Sequence, residues 1–177
     1  VVLNEEGEAT MLLWLAFWPI RFTHASEVTG GLLPLIWTPI THAFLHSGWD
    51  HLLLNGAWLA IFGTPVARRY GTWATLAVFL LSAVAGAALF ASTSWNSVAF
   101  LIGASGGISG LTGAACRFVF QPVLVARDPD TGEARVIGRP TVSLRELAMA
   151  GRARFFILVW LVLNAAVPFL PMLFGEA

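Results

Sequence analysis

The longest charge-free stretch of this sequence places the strongest limit on its fold. Residues 70–116 contain no aspartate, glutamate, lysine or arginine. Residues 51–67 and 155–175 are two further stretches without these residues. A helix needs roughly 20 apolar residues to cross the hydrocarbon core of a bilayer. The longest stretch therefore has room for two such helices, with a break near residues 92–97.

This pattern predicts an all-α fold, a polytopic transmembrane helix bundle. The composition agrees, because 57% of the residues are hydrophobic and only 11% are charged, whereas about a quarter of the residues in a soluble domain are charged. The net charge is zero, so no nucleic-acid partner is indicated. Four transmembrane helices are predicted, at about residues 49–65, 72–91, 101–120 and 153–171.

The arginines predict the orientation of these helices. All ten basic residues are arginine, and nine of them lie in or beside two alternate connections. Positive residues accumulate on the cytoplasmic side, so residues 121–152 are expected to form a cytoplasmic loop, a plain solvated connector with a turn at its centre. Residues 1–48 and the 92–100 connection then face the outer side. The exception is Arg21.

The N-terminal region, residues 1–48, is expected to be an outer interfacial segment. Its stretch Met-Leu-Leu-Trp-Leu-Ala-Phe-Trp-Pro-Ile-Arg-Phe, residues 11–22, is apolar and rich in tryptophan. Tryptophan favours the membrane interface, and the stretch is short for a span. It is therefore expected to lie in the outer boundary of the bilayer. The alternative is the tail of a transmembrane helix.

Two polar clusters are candidates for chemistry. In the first, His46 and His51 lie in a run that ends at Asn55; His51 and Asn55 are four residues apart and share a helix face. The second is Gly-Ala-Ser-Gly, with Ser105 near the outer start of the third predicted span. Polar groups inside membrane spans are costly and often functional, and both clusters are expected at the outer side.

Together these residue types suit acyl transfer. The Ser105 hydroxyl can attack a carbonyl if a base removes its proton. Backbone N–H groups at a helix N-terminus, with donors such as His51 and Asn55, can stabilise the oxyanion. Gly103 and Gly106 would let a substrate backbone approach closely.

The same residues also fit other interpretations. The small residues of the Ser105 region also fit helix–helix packing. The histidines fit buried hydrogen-bonding groups or, through the His42/His46 spacing with Asp50 nearby, a metal site. Cys116, the one cysteine, is expected to be a small buried hydrophobe.

The combination resembles the rhomboid family of intramembrane serine proteases. Thr-His-Ala-Phe-Leu-His-Ser-Gly-Trp-Asp-His-Leu-Leu-Leu-Asn, residues 41–55, is followed by Phe-Gly and then by Gly-Ala-Ser-Gly-Gly-Ile-Ser-Gly-Leu-Thr-Gly-Ala, residues 103–114. The resemblance implies that Ser105 is the nucleophile and that His51 and Asn55 stabilise the oxyanion. His46, Gly103 and Gly106 would support the site, and no metal or cofactor is implied.

The resemblance also has departures. The family has six core helices and a histidine base on the sixth, but no histidine follows His51 here. The sequence is therefore expected to be one membrane domain, residues 1–177, with four of the six helices, truncated at both ends and inactive by itself. A family aromatic four residues after the nucleophile is Ser109 here, and a family acid at the end of the first span is replaced by Ala67.

The function predicted from the resemblance is an intramembrane serine endopeptidase. It would cleave transmembrane segments of membrane-protein substrates near their outer end by a Ser–His dyad. The expected partners are such substrates and the lipid bilayer, and the expected location is a bacterial inner membrane with the active site facing outwards. The alternatives are a non-catalytic rhomboid-like protein that binds membrane helices and a His-ligated metal-binding membrane protein.

Overall fold

The structure, a computed structural model, describes residues 4–166 and is mostly helical there. The described helices are α1 (Glu5–Leu15), α2 (Thr38–Thr41), α3 (Trp49–Tyr70), α4 (Thr72–Thr93), α5 (Ser105–Val119), α6 (Leu144–Met149) and α7 (Gly151–Ala166). Strands β1 (Leu124–Arg127) and β2 (Ala134–Gly138) form an antiparallel hairpin. Short 3-10 turns lie at Pro19–Phe22, Leu33–Ile36 and His42–Phe44. The chain divides into two compact units, Val1–Thr112 and Gly113–Ala177.

In the first unit, the N-terminal segment packs on α4. Phe17 forms a buried cluster with Ala87 and Ala91 of α4. Helix α1 begins after Asn4, whose side chain accepts a hydrogen bond from the Gly7 N–H and caps the helix. Its 11 residues span about 16 Å at 1.5 Å per residue, which is well short of the roughly 30 Å hydrocarbon core. The interfacial placement of this segment stays a prediction.

Helix α4 agrees closely with the predicted span at residues 72–91. Within residues 4–166 it is the one helix that is both long and apolar enough to cross a membrane, judged by length and composition. Its outer surface exposes large apolar side chains, among them Trp73 at 84%, Leu81 at 71% and Leu89 at 68%. The other three predicted spans stay predictions.

Helix α3 is longer than predicted, because it continues past Pro65 to Tyr70. A proline in a helix removes one backbone hydrogen bond, and here this does not end the helix. Gly71 ends it instead, with a φ of 83° that an L side chain rarely adopts. A single residue therefore separates α3 from α4, and the arginines at 68 and 69 belong to the last turn of α3.

In the second unit, residues 121–152 are more ordered than the expected plain connector. They contain the β1–β2 hairpin and α6, so the described chain is not purely α-helical. Asp128 closes the hairpin turn by accepting hydrogen bonds from the N–H groups of Asp130 and Thr131. Helix α6 starts with a capping box between Ser143 and Glu146. These local backbone interactions are compatible with an exposed loop.

The remaining part of the second unit packs around Cys116. This cysteine is fully buried with Leu147 and Ala153, which confirms that it is a small buried hydrophobe. The predicted helix at residues 153–171 is observed as α7, from Gly151 to Ala166. The rest of that prediction lies outside the described residues.

Candidate active site

His42 anchors the site from a short helical turn. Its side chain is 1% exposed, and its Nδ1 lies 2.9 Å from the Thr38 carbonyl oxygen. A carbonyl only accepts, so Nδ1 carries the proton. Burial lowers the pKa of His42, while backbone hydrogen bonds act in the opposite direction. The backbone carbonyl of His42 accepts a hydrogen bond of 2.9 Å from the Gly103 N–H, so His42 holds the segment that leads to Ser105.

The segment before Ser105 is extended rather than helical. Leu101 exchanges two backbone hydrogen bonds with Phe17, of 3.1 and 2.9 Å. The sequence predicted a helix from residue 101, but α5 begins at Ser105. The reason is that the backbone groups of residues 101 and 103 are bonded to Phe17 and His42, so they are not available for helical hydrogen bonds. Long-range pairing of this kind has no local sequence signal.

Two features of the structure require glycine at position 103. Its φ is 109°, in the region that strains an L side chain. A Cβ at this position would also lie 2.8 Å from Cε1 and Nε2 of His51. The backbone at 103 therefore lies directly against the His51 ring, two residues before Ser105. The sequence predicts Gly103 and His51 in one site, and the structure brings these two residues together.

His51 is contacted from two further directions. The Ser47 hydroxyl lies 3.2 Å from its Nδ1, and the Ser47 backbone N–H donates to the same atom at 3.5 Å. The ring of His46 meets the ring of His51 edge to face, with centroids 5.0 Å apart. Burial, and to a smaller degree the neighbouring His51, lower the pKa of His46. Ser47 lies inside the motif described above, but no role was predicted for it.

Asn55 lies one turn after His51 on α3, as its spacing predicts. The side chain is 7% exposed, and its amide nitrogen donates to the His51 carbonyl oxygen at 2.9 Å. An amide group has two N–H donors, so this bond uses one of them.

Ser105 is the first residue of α5 and is half-buried, whereas Ser109, one turn later, is exposed. The first backbone N–H groups of a helix have no partner within the helix, and the positive end of the helix dipole lies there. The nucleophile candidate therefore lies where a developing negative charge is stabilised.

Three glycines of α5 pack against α4. A Cβ at Gly106 would lie 3.6 Å from backbone atoms of Ser82 and Ala83, and a Cβ at Gly107 would lie 2.6 Å from the Phe79 ring. At Gly110 a Cβ would meet the Ser82 side chain. Small-residue packing, the alternative left open above, is therefore present at these positions. A role for Gly106 in substrate approach stays a prediction.

Arg21 is a structural residue whose role the sequence did not indicate. It is fully buried, and its guanidinium donates to the carbonyl oxygens of Leu13, Thr29 and Gly31 at 2.6–2.8 Å. Burial lowers its pKa. The one signal was its position, as the only arginine outside the two arginine-bearing connections. Arg21 ties the N-terminal segment together, and Phe17 in that segment pairs with Leu101.

The metal alternative receives no support from the donor set. Within the part of the chain that the structure describes, no group of three or more histidine, cysteine, aspartate or glutamate side chains could hold a metal ion. His42 and His46 have different environments: His42 bonds to Thr38, whereas the buried Nε2 of His46 has no hydrogen-bond partner among these residues.

Comparison with known proteins identifies the family. Residues 34–129, more than half of the chain, match the family described as the Rhomboid domain. The rhomboid protease GlpG of Yersinia pestis (strain Pestoides F) is 30% identical over 114 residues, 64% of this chain and 35% of the relative. The same-named protein of Salmonella newport (strain SL254) is 28% identical over 132 residues, 75% of this chain and 41% of the relative. The chain belongs to the rhomboid family, and it spans about two fifths or less of the length of these relatives.

Proposed function

We propose that this chain is part of an intramembrane serine endopeptidase that cleaves transmembrane segments of membrane-protein substrates near their outer end. The observation that carries the proposal is the position of Ser105. It begins α5, and the segment before it is bonded to Phe17 and His42 and lies against the His51 ring. The proposed nucleophile thus lies at a helix N-terminus, two residues after the glycine that contacts His51. The rhomboid protease names of the relatives support the same activity.

In the proposed reaction, the Ser105 hydroxyl attacks the carbonyl carbon of the substrate peptide bond. The Ser105 N–H, His51 and Asn55 would stabilise the oxyanion that forms. The hydroxyl proton passes to a base. Since no histidine follows His51, we propose that the base is a histidine of the full-length protein outside this sequence. The tetrahedral intermediate then collapses: the peptide C–N bond breaks, and the protonated base gives its proton to the leaving amine. Water, deprotonated by the same base, hydrolyses the acyl–Ser105 ester and regenerates the hydroxyl, and the cycle requires no metal or cofactor.

We further propose a multi-pass protein of a bacterial inner membrane, with this site facing outwards. The arginine distribution supports the orientation, and the structure accounts for the exception, because Arg21 is buried against carbonyl oxygens. A membrane-impermeant reagent added from outside should therefore label a cysteine placed at Asn96 and should not label a cysteine placed at Thr131. Labelling of Thr131 and not Asn96 from outside would reverse the orientation.

A serine-directed probe tests the proposed activity. A fluorophosphonate should label wild-type full-length protein at Ser105, and Ser105→Ala should abolish both labelling and cleavage, a loss of at least ~1000-fold. The fold should survive, because the change removes one oxygen from a half-buried position.

Ser109→Ala is the matched control. It lies one turn further along α5, is exposed, and should retain cleavage within a few-fold. If Ser109→Ala stops cleavage and Ser105→Ala does not, the nucleophile is misassigned. If neither change matters, the protease proposal fails and a non-catalytic membrane-helix binder becomes the better hypothesis.

A further inference from the structure

Ser47 contacts Nδ1 of His51, and this contact bears on which ring nitrogen carries the proton. Both the Ser47 hydroxyl, at 3.2 Å, and the Ser47 backbone N–H, at 3.5 Å, approach Nδ1 of His51. Ser47 precedes α3, while His51 lies in its first turn. The two residues are four positions apart, so the contact spans the start of the helix. It holds the ring from the side of the outer loop.

The backbone bond indicates where the proton lies. A backbone N–H can only donate, so Nδ1 of His51 must accept and carries no proton. In a neutral imidazole the proton is then on Nε2. The Ser47 hydroxyl can either donate or accept, and with Nδ1 unprotonated it donates. Both bonds from Ser47 thus favour the same tautomer, with Nε2–H available as a donor.

The Nε2 edge of the same ring lies against the segment that leads to the nucleophile. A Cβ at Gly103 would be 2.8 Å from Nε2 and Cε1 but 4.0 Å from Nδ1. The protonated edge is therefore the one nearer to Gly103, while Ser47 occupies the opposite nitrogen. His46 meets the ring edge to face and so restricts its rotation. The ring is oriented by Ser47, His46 and Gly103 together.

We propose that Ser47 is a positioning residue that fixes His51 in the Nε2–H tautomer and aims this donor towards the site at Ser105. The inference deepens the proposed protease function and rests on it for its kinetic consequence. An oxyanion donor must present a proton at the moment of attack. A ring with its proton on Nδ1 would instead present a lone pair to the oxyanion and would repel it.

Nitrogen NMR tests the tautomer without any need for activity. The sample is ¹⁵N-histidine-labelled full-length protein at a pH about two units above the ordinary histidine pKa of about 6.5, where the ring is neutral. His51 should then show a pyridine-type Nδ1 and a pyrrole-type Nε2. The signals are assigned by comparison with His51→Gln. Ser47→Ala removes the shorter bond, from the hydroxyl at 3.2 Å, and keeps the longer backbone bond at 3.5 Å. It should therefore move both signals part of the way towards those of a tautomer mixture, and Ser47→Thr should restore them. A His51 signal unchanged in Ser47→Ala would overturn the proposal.

Kinetics then test the consequence. Ser47→Ala should lower kcat by about 3–10-fold, the effect of one hydrogen bond, with KM within about twofold, and Ser47→Thr should recover most of it. Ser26→Ala, an exposed serine of the same outer segment, should match wild type. A loss of kcat that Ser47→Thr does not recover would assign Ser47 a merely structural role. Wild-type protein that shows the tautomer but cleaves no substrate would refute the protease function and leave the Ser47–His51 contact standing.

Discussion

Arg21 and Arg139 both donate from their guanidinium groups to backbone carbonyl oxygens, but in contrasting surroundings. Arg21, in the first unit, is fully buried and binds the carbonyls of residues 13, 29 and 31. Arg139, in the second unit, is exposed and binds those of residues 119 and 121. The hydrogen bonds from Arg21 replace hydrogen bonds to water that the buried carbonyl oxygens have lost. The hydrogen bonds from Arg139 compete with water that still reaches its carbonyl partners.

Two further pairs show the same contrast. Asn55 and Asn164 each donate to the carbonyl four residues earlier, at 2.9 Å, but Asn55 is buried and Asn164 is partly exposed. On α5, a Cβ at Gly107 would collide with Phe79, whereas a Cβ at Gly113 would meet nothing within 4 Å. The same local structure therefore has different consequences in the two units, because burial and close packing decide what a substitution costs.

The largest stability difference is expected between the two arginines. Arg21→Met should destabilise the protein by about 3–5 kcal/mol, since it leaves buried carbonyl oxygens without donors. Arg139→Met should cost less than about 1 kcal/mol, because water replaces the lost donor. Denaturant unfolding in detergent micelles measures both. Equal losses of unfolding free energy in the two variants would show that the burial of Arg21 does not make its hydrogen bonds more stabilising than those of Arg139.

The next largest effect is expected at the asparagines, and it concerns catalysis. Asn55→Ala in the full-length protein should lower kcat by about 10–1000-fold if its amide stabilises the oxyanion. Asn164→Ala removes the same kind of helix bond and should leave kcat within about twofold. Initial-rate kinetics with a transmembrane substrate decide this. A normal kcat in Asn55→Ala would remove Asn55 from the mechanism.

The smallest effect is expected at the glycines. Gly107→Ala should cost about 1–3 kcal/mol, because the Phe79 ring must move to admit the methyl group. Gly113→Ala should be neutral or stabilising by up to about 1 kcal/mol, since alanine favours a helix over glycine. Thermal unfolding of the two variants provides the comparison. A stable Gly107→Ala protein would mean that α4 and α5 pack less tightly at this point than the Phe79 contact indicates.

The site was partly predictable because some of its geometry is local. The spacing of His51 and Asn55 places them on one face of α3, and the structure shows them linked by a hydrogen bond. The start of α5 was predicted too early, because the pairing of Leu101 with Phe17 joins residues far apart in the sequence. The Ser47 contact was missed for a different reason: a serine in a loop has no periodicity to indicate what it faces.

The sequence by itself determined the location of α4, the shared helix face of His51 and Asn55, and the family. These follow from composition, spacing and motif, which are properties of neighbouring residues. Only the tertiary structure decided that Gly103 lies against His51, that Ser47 bonds to its Nδ1, and that Arg21 is buried among three carbonyl oxygens. The physical reason is that these contacts depend on how distant or irregular segments fold together, and a local pattern carries no information about that.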